Sequence, residues 1–148
     1  MALRRSDLPD GFFHIYARGV CGIGPIFVDD QDHHAFIRFL WIAARRHAWE
    51  CHAFCVFSTH YHLVLRTRRI ELSAGCEELN WNYATYFNRK RKRFGHLFSE
   101  RFSSRVIENE EYLYDACAYV LLNPVKAGLC SRTEDWPWSW SRYGLHAT

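Results

Sequence analysis

Two apolar stretches separated by only two residues constrain this chain more than any other feature. Cys51 to Phe57 alternates as a strand does, His60 to Arg66 reads as another, and only Ser58 and Thr59 lie between them. A connection that short joins strands as an antiparallel hairpin, because a parallel pair needs a crossover of about a dozen residues or more. The chain is therefore committed to an antiparallel sheet.

Around the hairpin the periodicity switches between two and 3.6. Phe12 to Arg18 is a strand with Phe13, Ile15 and Ala17 on one side and His14, Tyr16 and Arg18 on the other. The glycines from Gly19 to Gly24 form a bulge or turn, since they carry neither a GxGxxG pattern nor a Walker lysine. Asp29 or Asp30 caps a helix running to about His47, with Phe36, Phe39, Leu40 and Ala43 as its buried stripe. A longer helix spans roughly Leu72 to Lys92, with Leu72, Cys76, Leu79, Tyr83 and Phe87 on its apolar face, and Gly95 ends it. Leu97 to Ile107 is a further strand, and Asn109 caps a helix from Glu110 to about Leu122, with Pro124 just beyond its last turn. The segment Asp135 to Trp140 is too short and too interrupted by Pro137 for a core strand and is expected to pack across the sheet or an entrance. The order strand, helix, hairpin, helix, strand, helix predicts an α+β, ferredoxin-like antiparallel sheet with helices packed mainly on one face. The second sheet face then needs a reason to stay polar, and a DNA-binding surface supplies one.

With 148 residues, 49% hydrophobic and 24% charged, the chain suits one soluble domain over 1–148, with residues 1–11 and 144–148 as flexible termini. Six scattered cysteines without a CxxC pair read as reduced thiols. No apolar stretch is long enough for a signal peptide or a bilayer span, so no membrane partner and a cytoplasmic location are expected. The net charge of +3 hides an asymmetry: residues 51–105 carry ten basic and four acidic side chains, including the run Arg89, Lys90, Arg91, Lys92, Arg93. Such a patch recruits a polyanion by neutralising phosphates, although an exposed, solubilising helix end has the same composition.

Two constellations carry chemistry. His60 and His62 are two apart, which on a strand puts both imidazoles on one face, where neutral imidazoles ligate a divalent ion. By spacing alone the pair fits a metal site and an ordinary surface pair equally. Tyr119 and Asn123 lie one helical turn apart, so Asn123 can offer an amide oxygen as third ligand while Tyr119 presents its hydroxyl to a phosphate. A phenol with a pKa of about 10 needs help from a metal or a base, and taken alone Tyr119 also fits a rim aromatic. His14 falls near these groups by strand alternation and is not assigned as a ligand. His33, His34, His47, His52, His96 and His146 are given packing or surface roles.

Read in order, these residues resemble the REP-associated tyrosine transposases, single-tyrosine HUH proteins related to small insertion-sequence transposases that act on single-stranded DNA. The resemblance runs through Phe13-His14-Ile15-Tyr16-Ala17-Arg18-Gly19, Ile26-Phe27-Val28-Asp29-Asp30, His60-Tyr61-His62 and Tyr86-Phe87-Asn88-Arg89-Lys90. It continues through Gly95-His96-Leu97-Phe98, Arg101-Phe102, the segment Tyr119 to Leu129 and Asp135-Trp136-Pro137-Trp138-Ser139. The chain departs from the family at Phe57-Ser58-Thr59, where a Met-Pro-Asn type of turn is common, and at Val20, where Asn is usual.

The resemblance implies a HUH-type domain in which His60, His62 and Asn123 hold Mg²⁺ or Mn²⁺ and Tyr119 is the nucleophile. It further implies cleavage of single-stranded DNA beside a short REP-like hairpin through a 5′-phosphotyrosine, followed by strand transfer. Arg18, the run Arg89 to Arg93, Arg101 and Arg105 are the candidates for nucleic-acid contact. A monomer is expected rather than a dimer, because no long helix follows the one bearing Tyr119. The alternative is a non-catalytic binding protein for hairpin DNA or structured RNA. A two-metal phosphoesterase is disfavoured, because Asp and Glu are absent between Ser58 and Ile70.

Overall fold

A computed structural model describes residues 11–99 and 102–144. The order is β1 (Gly11–Arg18), α1 (Asp30–Arg46), β2 (Glu50–Val56), β3 (His60–Thr67), α2 (Arg69–Arg91), β4 (Ser103–Ile107), α3 (Glu110–Lys126) and β5 (Ser139–Ser141). The strands form one antiparallel sheet in the order β4-β1-β3-β2-β5. The first four strands and two helices thus have the ferredoxin-like arrangement expected from the hairpin and its flanks. The expected flexible termini fall largely on residues 1–10 and 145–148, outside the described residues, while Gly11 opens β1. No described helix is long and apolar enough to cross a membrane.

Both well-capped helices start where a short polar side chain precedes the apolar pattern. Asp29 accepts a hydrogen bond from the Asp32 amide at 2.9 Å, and Asn109 accepts one from the Tyr112 amide at 2.9 Å. Each cap satisfies an amide that the first helical turn leaves without a partner.

Alternation along the strands builds two cores. Phe13, Ile15, Ala17, Tyr61, Leu63 and Leu65 point to one face and pack with Phe36 and Leu40 of α1 and Leu72, Leu79 and Tyr83 of α2. On the other face Ala53, Cys55, Val64 and Ile107 meet Leu113, Cys117 and Val120 of α3. Two helices therefore cover one face and α3 alone the other, packing over β2 and leaving the cleft side of β1 open. That opening positions the site described below.

Backbone contact makes one position unforgiving. Trp49 packs against Gly75 of α2, where an added Cβ would collide with the indole Cζ2 and Cε2. Trp49 is also held by a 3.0 Å bond from its indole N–H to the Glu71 carbonyl, so it cannot swing away freely. Gly75→Ala is expected to destabilise the fold by about 1–3 kcal/mol despite alanine's better helix propensity. A urea melt that leaves the midpoint unchanged would refute this.

Three local expectations are corrected. Pro124 lies inside α3 and not beyond it. It forgoes only the bond to the Val120 carbonyl, and the helix ends two residues later with the Ala127 amide on the Asn123 carbonyl at 2.9 Å. The stretch 97–107 is a regular strand only over Ser103–Ile107, because Leu97 and Ser99 instead pair with Val20 and Arg18 at the end of β1. The tail does supply a strand: Ser139–Ser141 pairs with β2 as a three-residue edge, which leaves Pro137 outside the ladder.

Candidate active site

The β1–β3 register places Tyr16 opposite His62 and Arg18 opposite His60, while β4 sets Arg105 opposite His14 and Ser103 opposite Tyr16. Residues directly opposite share a face, so these side chains form a polar field on the face that α3 only partly covers. Asp115, Tyr119 and Asn123 of α3, spaced by one helical turn, complete a cleft of about 660 Å³ above it. A larger groove of about 780 Å³ lies between α2 and Leu97–Ser99, but among the described residues Glu77 and His96 are the only titratable side chains lining it.

At the floor of the cleft stand three histidines. His14 Nε2 and His62 Nδ1 are 3.0 Å apart, and the His60 and His62 ring centroids are separated by 5.3 Å. Phe57 stacks on His60 at 4.3 Å and Tyr16 packs beside His62 at 5.0 Å, so both rings are clamped. Burial pushes the His62 pKa down to about 3, reinforced by the neighbouring His14 and His60. Burial, aided by the Arg18 cation, pushes His60 down to about 4, and burial with Arg105 lowers His14. At neutral pH all three are neutral imidazoles, the form that ligates metal.

Both ligand candidates have Nδ1 engaged and Nε2 free. His62 Nδ1 meets His14, His60 Nδ1 meets Thr59 Oγ1 at 3.0 Å, and no described residue bonds either Nε2. This donor set fits a divalent ion, since metal-bound imidazoles characteristically tie their other nitrogen to a neighbouring group. Among the described residues no three His, Cys, Asp or Glu side chains form a ready metal cluster, so a third protein ligand beside the pair would have to be of another type. Asn123 lines the same cleft, and its amide is oriented by a 3.1 Å bond from Nδ2 to the Tyr119 carbonyl, which leaves Oδ1 as the free donor atom.

Tyr119 is 46% exposed, unlike the buried tyrosines Tyr61 and Tyr83, so the core does not claim it. Its ring centroid stands 5.9 Å from His62 and 5.8 Å from His14, and Lys126 holds its ammonium 5.7 Å from the same ring. A phenol, two imidazoles whose Nε2 atoms have no described partner, an amide oxygen and flanking cations are thus gathered in one opening.

The overall architecture has a solved counterpart. No protein-family model and no curated protein matches the chain. The fold is shared with a REP-associated tyrosine transposase. That structure, solved with a REP hairpin bound, has a TM-score of 0.77 and 18% identity, over 94% of this chain and 81% of that one. At this identity the likeness carries the fold, and the chemistry rests on the cleft itself.

The candidate nucleic-acid residues divide. Arg18 and Arg105 are exposed beside the cleft, with Arg105 in its lining. None of the run Arg89 to Arg93 lines it, because α2 packs on the opposite face of the sheet. Lys90 and Arg91 are bound to Asp32, Lys90 also to Asp29, and Arg93 donates to the Gly95 and His96 carbonyls. Arg89 and Lys92 are exposed at the surface. Arg101 lies outside the described residues.

The residue that sequence reading left unassigned is His14. Alternation put it on the correct face, but its reach to His62 depends on a strand register that no local pattern displays. Lys126, seven residues after Tyr119, was also overlooked, although helical spacing places it on the same side.

Proposed function

We propose that this chain is a metal-dependent endonuclease and strand transferase for single-stranded DNA, acting beside a DNA hairpin through a phosphotyrosine on Tyr119. The observation that carries this reading is the half-exposed Tyr119 ring within 6 Å of His14 and His62 in one cleft. A tyrosine needed only for packing would not stand free above imidazoles whose Nε2 atoms are unpaired.

His60, His62 and Asn123 are the residues that would hold the ion. When bound, Mg²⁺ or Mn²⁺ supplies Lewis-acid polarisation of a non-bridging phosphate oxygen and aligns the scissile group. Arg105 and Arg18 flank the opening and neutralise phosphates entering it. The Tyr119 oxygen attacks phosphorus as its proton passes to solvent water, the P–O3′ bond breaks, and the departing 3′-oxygen is protonated from solvent. The product is a 5′-phosphotyrosine and a free 3′-hydroxyl. In transfer a second 3′-hydroxyl attacks the phosphotyrosine and restores the phenol. Bond energy is conserved in the covalent link, which is why a transferase uses tyrosine where a hydrolase uses water. Nucleophile and ligands belong to one chain, so a monomer suffices.

The test is incubation with labelled single-stranded oligonucleotides that carry a short hairpin and varied flanks, with Mg²⁺, Mn²⁺ or EDTA, resolved on a denaturing gel. A protein-linked DNA band is expected that requires the divalent ion and is absent in Tyr119→Phe. Tight hairpin binding with no covalent band across a broad substrate pool would instead mark a non-catalytic binding protein.

A further inference from the structure

We propose that His14 is a positioning residue for His62: it accepts the Nδ1 hydrogen of His62 and so holds the tautomer whose Nε2 lone pair faces the cleft. The proposal deepens the proposed function, since it rests on His62 being a ligand.

The 3.0 Å contact between His14 Nε2 and His62 Nδ1 must contain one hydrogen, and two neutral imidazoles can supply it in two ways. If His14 donates, His62 carries its own hydrogen on Nε2 and has no lone pair there for a cation in the cleft. If His62 donates, its Nε2 is a lone pair, and the second hydrogen of the pair moves to Nδ1 of the half-buried His14. A neutral histidine that ligates through Nε2 must carry its hydrogen on Nδ1, and metal-bound imidazoles characteristically give that hydrogen to a neighbouring acceptor. Only the second arrangement meets that requirement and leaves an acceptor directed at the space where a cation would sit.

The same device occurs a second time. His60 is tied through Nδ1 to Thr59 Oγ1 at 3.0 Å, from the hairpin turn, whereas His62 is tied from β1. Two unrelated elements thus engage the same nitrogen on both rings. The His14 arm comes from register: Tyr16 faces His62 and His14 faces Val64, so His14 is the diagonal neighbour of His62 on the shared face.

The test compares the wild type with His14→Phe, which keeps a ring and loses the acceptor, and His14→Gln, which places an amide oxygen near the position of Nε2. Ring-nitrogen ¹⁵N–¹H correlation spectra of the metal-free protein report each tautomer, with His62 assigned by difference against His62→Gln. In the wild type His62 is expected to carry its hydrogen on Nδ1, in His14→Phe to become a mixture, and in His14→Gln to return. His60, held by Thr59, keeps its signals throughout. In parallel, Mn²⁺ affinity measured by calorimetry is expected to fall about 10–100-fold in His14→Phe and to recover in His14→Gln. The proposal is overturned by Nε2–H on His62 in the wild type, by an unchanged His62 in His14→Phe, or by equal changes at His60, which would mean that the strand had moved. Expected tautomers in a wild type that binds no Mn²⁺ would uphold the positioning by His14 and remove the metal from the proposed function.

Discussion

Replacing Asp32 with alanine is expected to lower the stability of the folded chain by about 3 kcal/mol, the lower end of the range for a broken buried ion pair. Asp32 is fully buried in α1, yet every direction around its carboxylate is occupied. Oδ1 accepts from Tyr86 at 2.9 Å and Lys90 at 3.0 Å, while Oδ2 accepts from the Val28 amide at 3.0 Å and from Arg91. The cluster ties the start of α1 to the end of α2 across 58 residues of sequence. Its removal takes this acceptor from Arg91, the Tyr86 hydroxyl and the Val28 amide, while Lys90 keeps only Asp29. The low end of the range applies because the Lys90 and Arg91 side chains are 27% and 25% exposed and regain water. Thermal melts should show a drop of about 6–12 °C for a chain of this size. A loss below about 1 kcal/mol would place the cluster with ordinary surface pairs.

The same carboxylate makes stability depend on pH in a definite direction. Burial alone would raise its pKa, but bonds from Arg91, the Val28 amide, Lys90 and Tyr86 overcome that and hold it well below the usual carboxylate range. Because the folded value lies below the unfolded value of about 3.9, the stabilisation is complete above that pH and is lost as pH falls toward the folded value. The stability gap between the wild type and Asp32→Asn should therefore be constant above about pH 5 and narrow below about pH 4. A gap that widens on acidification would reverse the assignment.

This cluster also shows where sequence reading stops. The run Arg89 to Arg93 is visible as charge, and charge suggested DNA, but nothing local reveals that Asp29 and Asp32 claim Lys90 and Arg91. Elements set by period and punctuation were legible: the hairpin through Ser58 and Thr59, the caps at Asp29 and Asn109, and the apolar stripe of α2 from Leu72 to Phe87. Features set by tertiary pairing were not. Ser139–Ser141 becomes a strand only because β2 offers it an edge, and Pro124 stays helical because α3 needs just one more half-turn. In the site the pairs His60 with His62 and Tyr119 with Asn123 followed from strand and helix spacing. Their meeting required α3 to pack over β2, which spacing does not encode and only the family resemblance implied. The His14 contact, arising from register, was out of reach of both.

His62 occupies the centre of that meeting, so His62→Gln is expected to slow single-turnover formation of the DNA–protein adduct on the order of 10²–10³-fold. Its ring contacts His14, Tyr16, His60 and Tyr119, so it touches both the other candidate ligand and the nucleophile. Glutamine preserves much of the volume and removes the aromatic ring whose Nε2 lone pair faces the cleft, so the loss should fall on chemistry more than on folding. His60→Gln should cost less, because His60 is less enclosed and makes no ring contact with Tyr119. The order His62 before His60 distinguishes the proposed cleft from a generic two-histidine metal clip, in which either loss would be equivalent. The rate constants, measured at saturating Mn²⁺ on one hairpin oligonucleotide with melting temperatures in parallel, decide it. Rates within about tenfold of the wild type for His62→Gln would remove His62 from the reaction, because a direct contributor to transition-state stabilisation cannot be lost so cheaply.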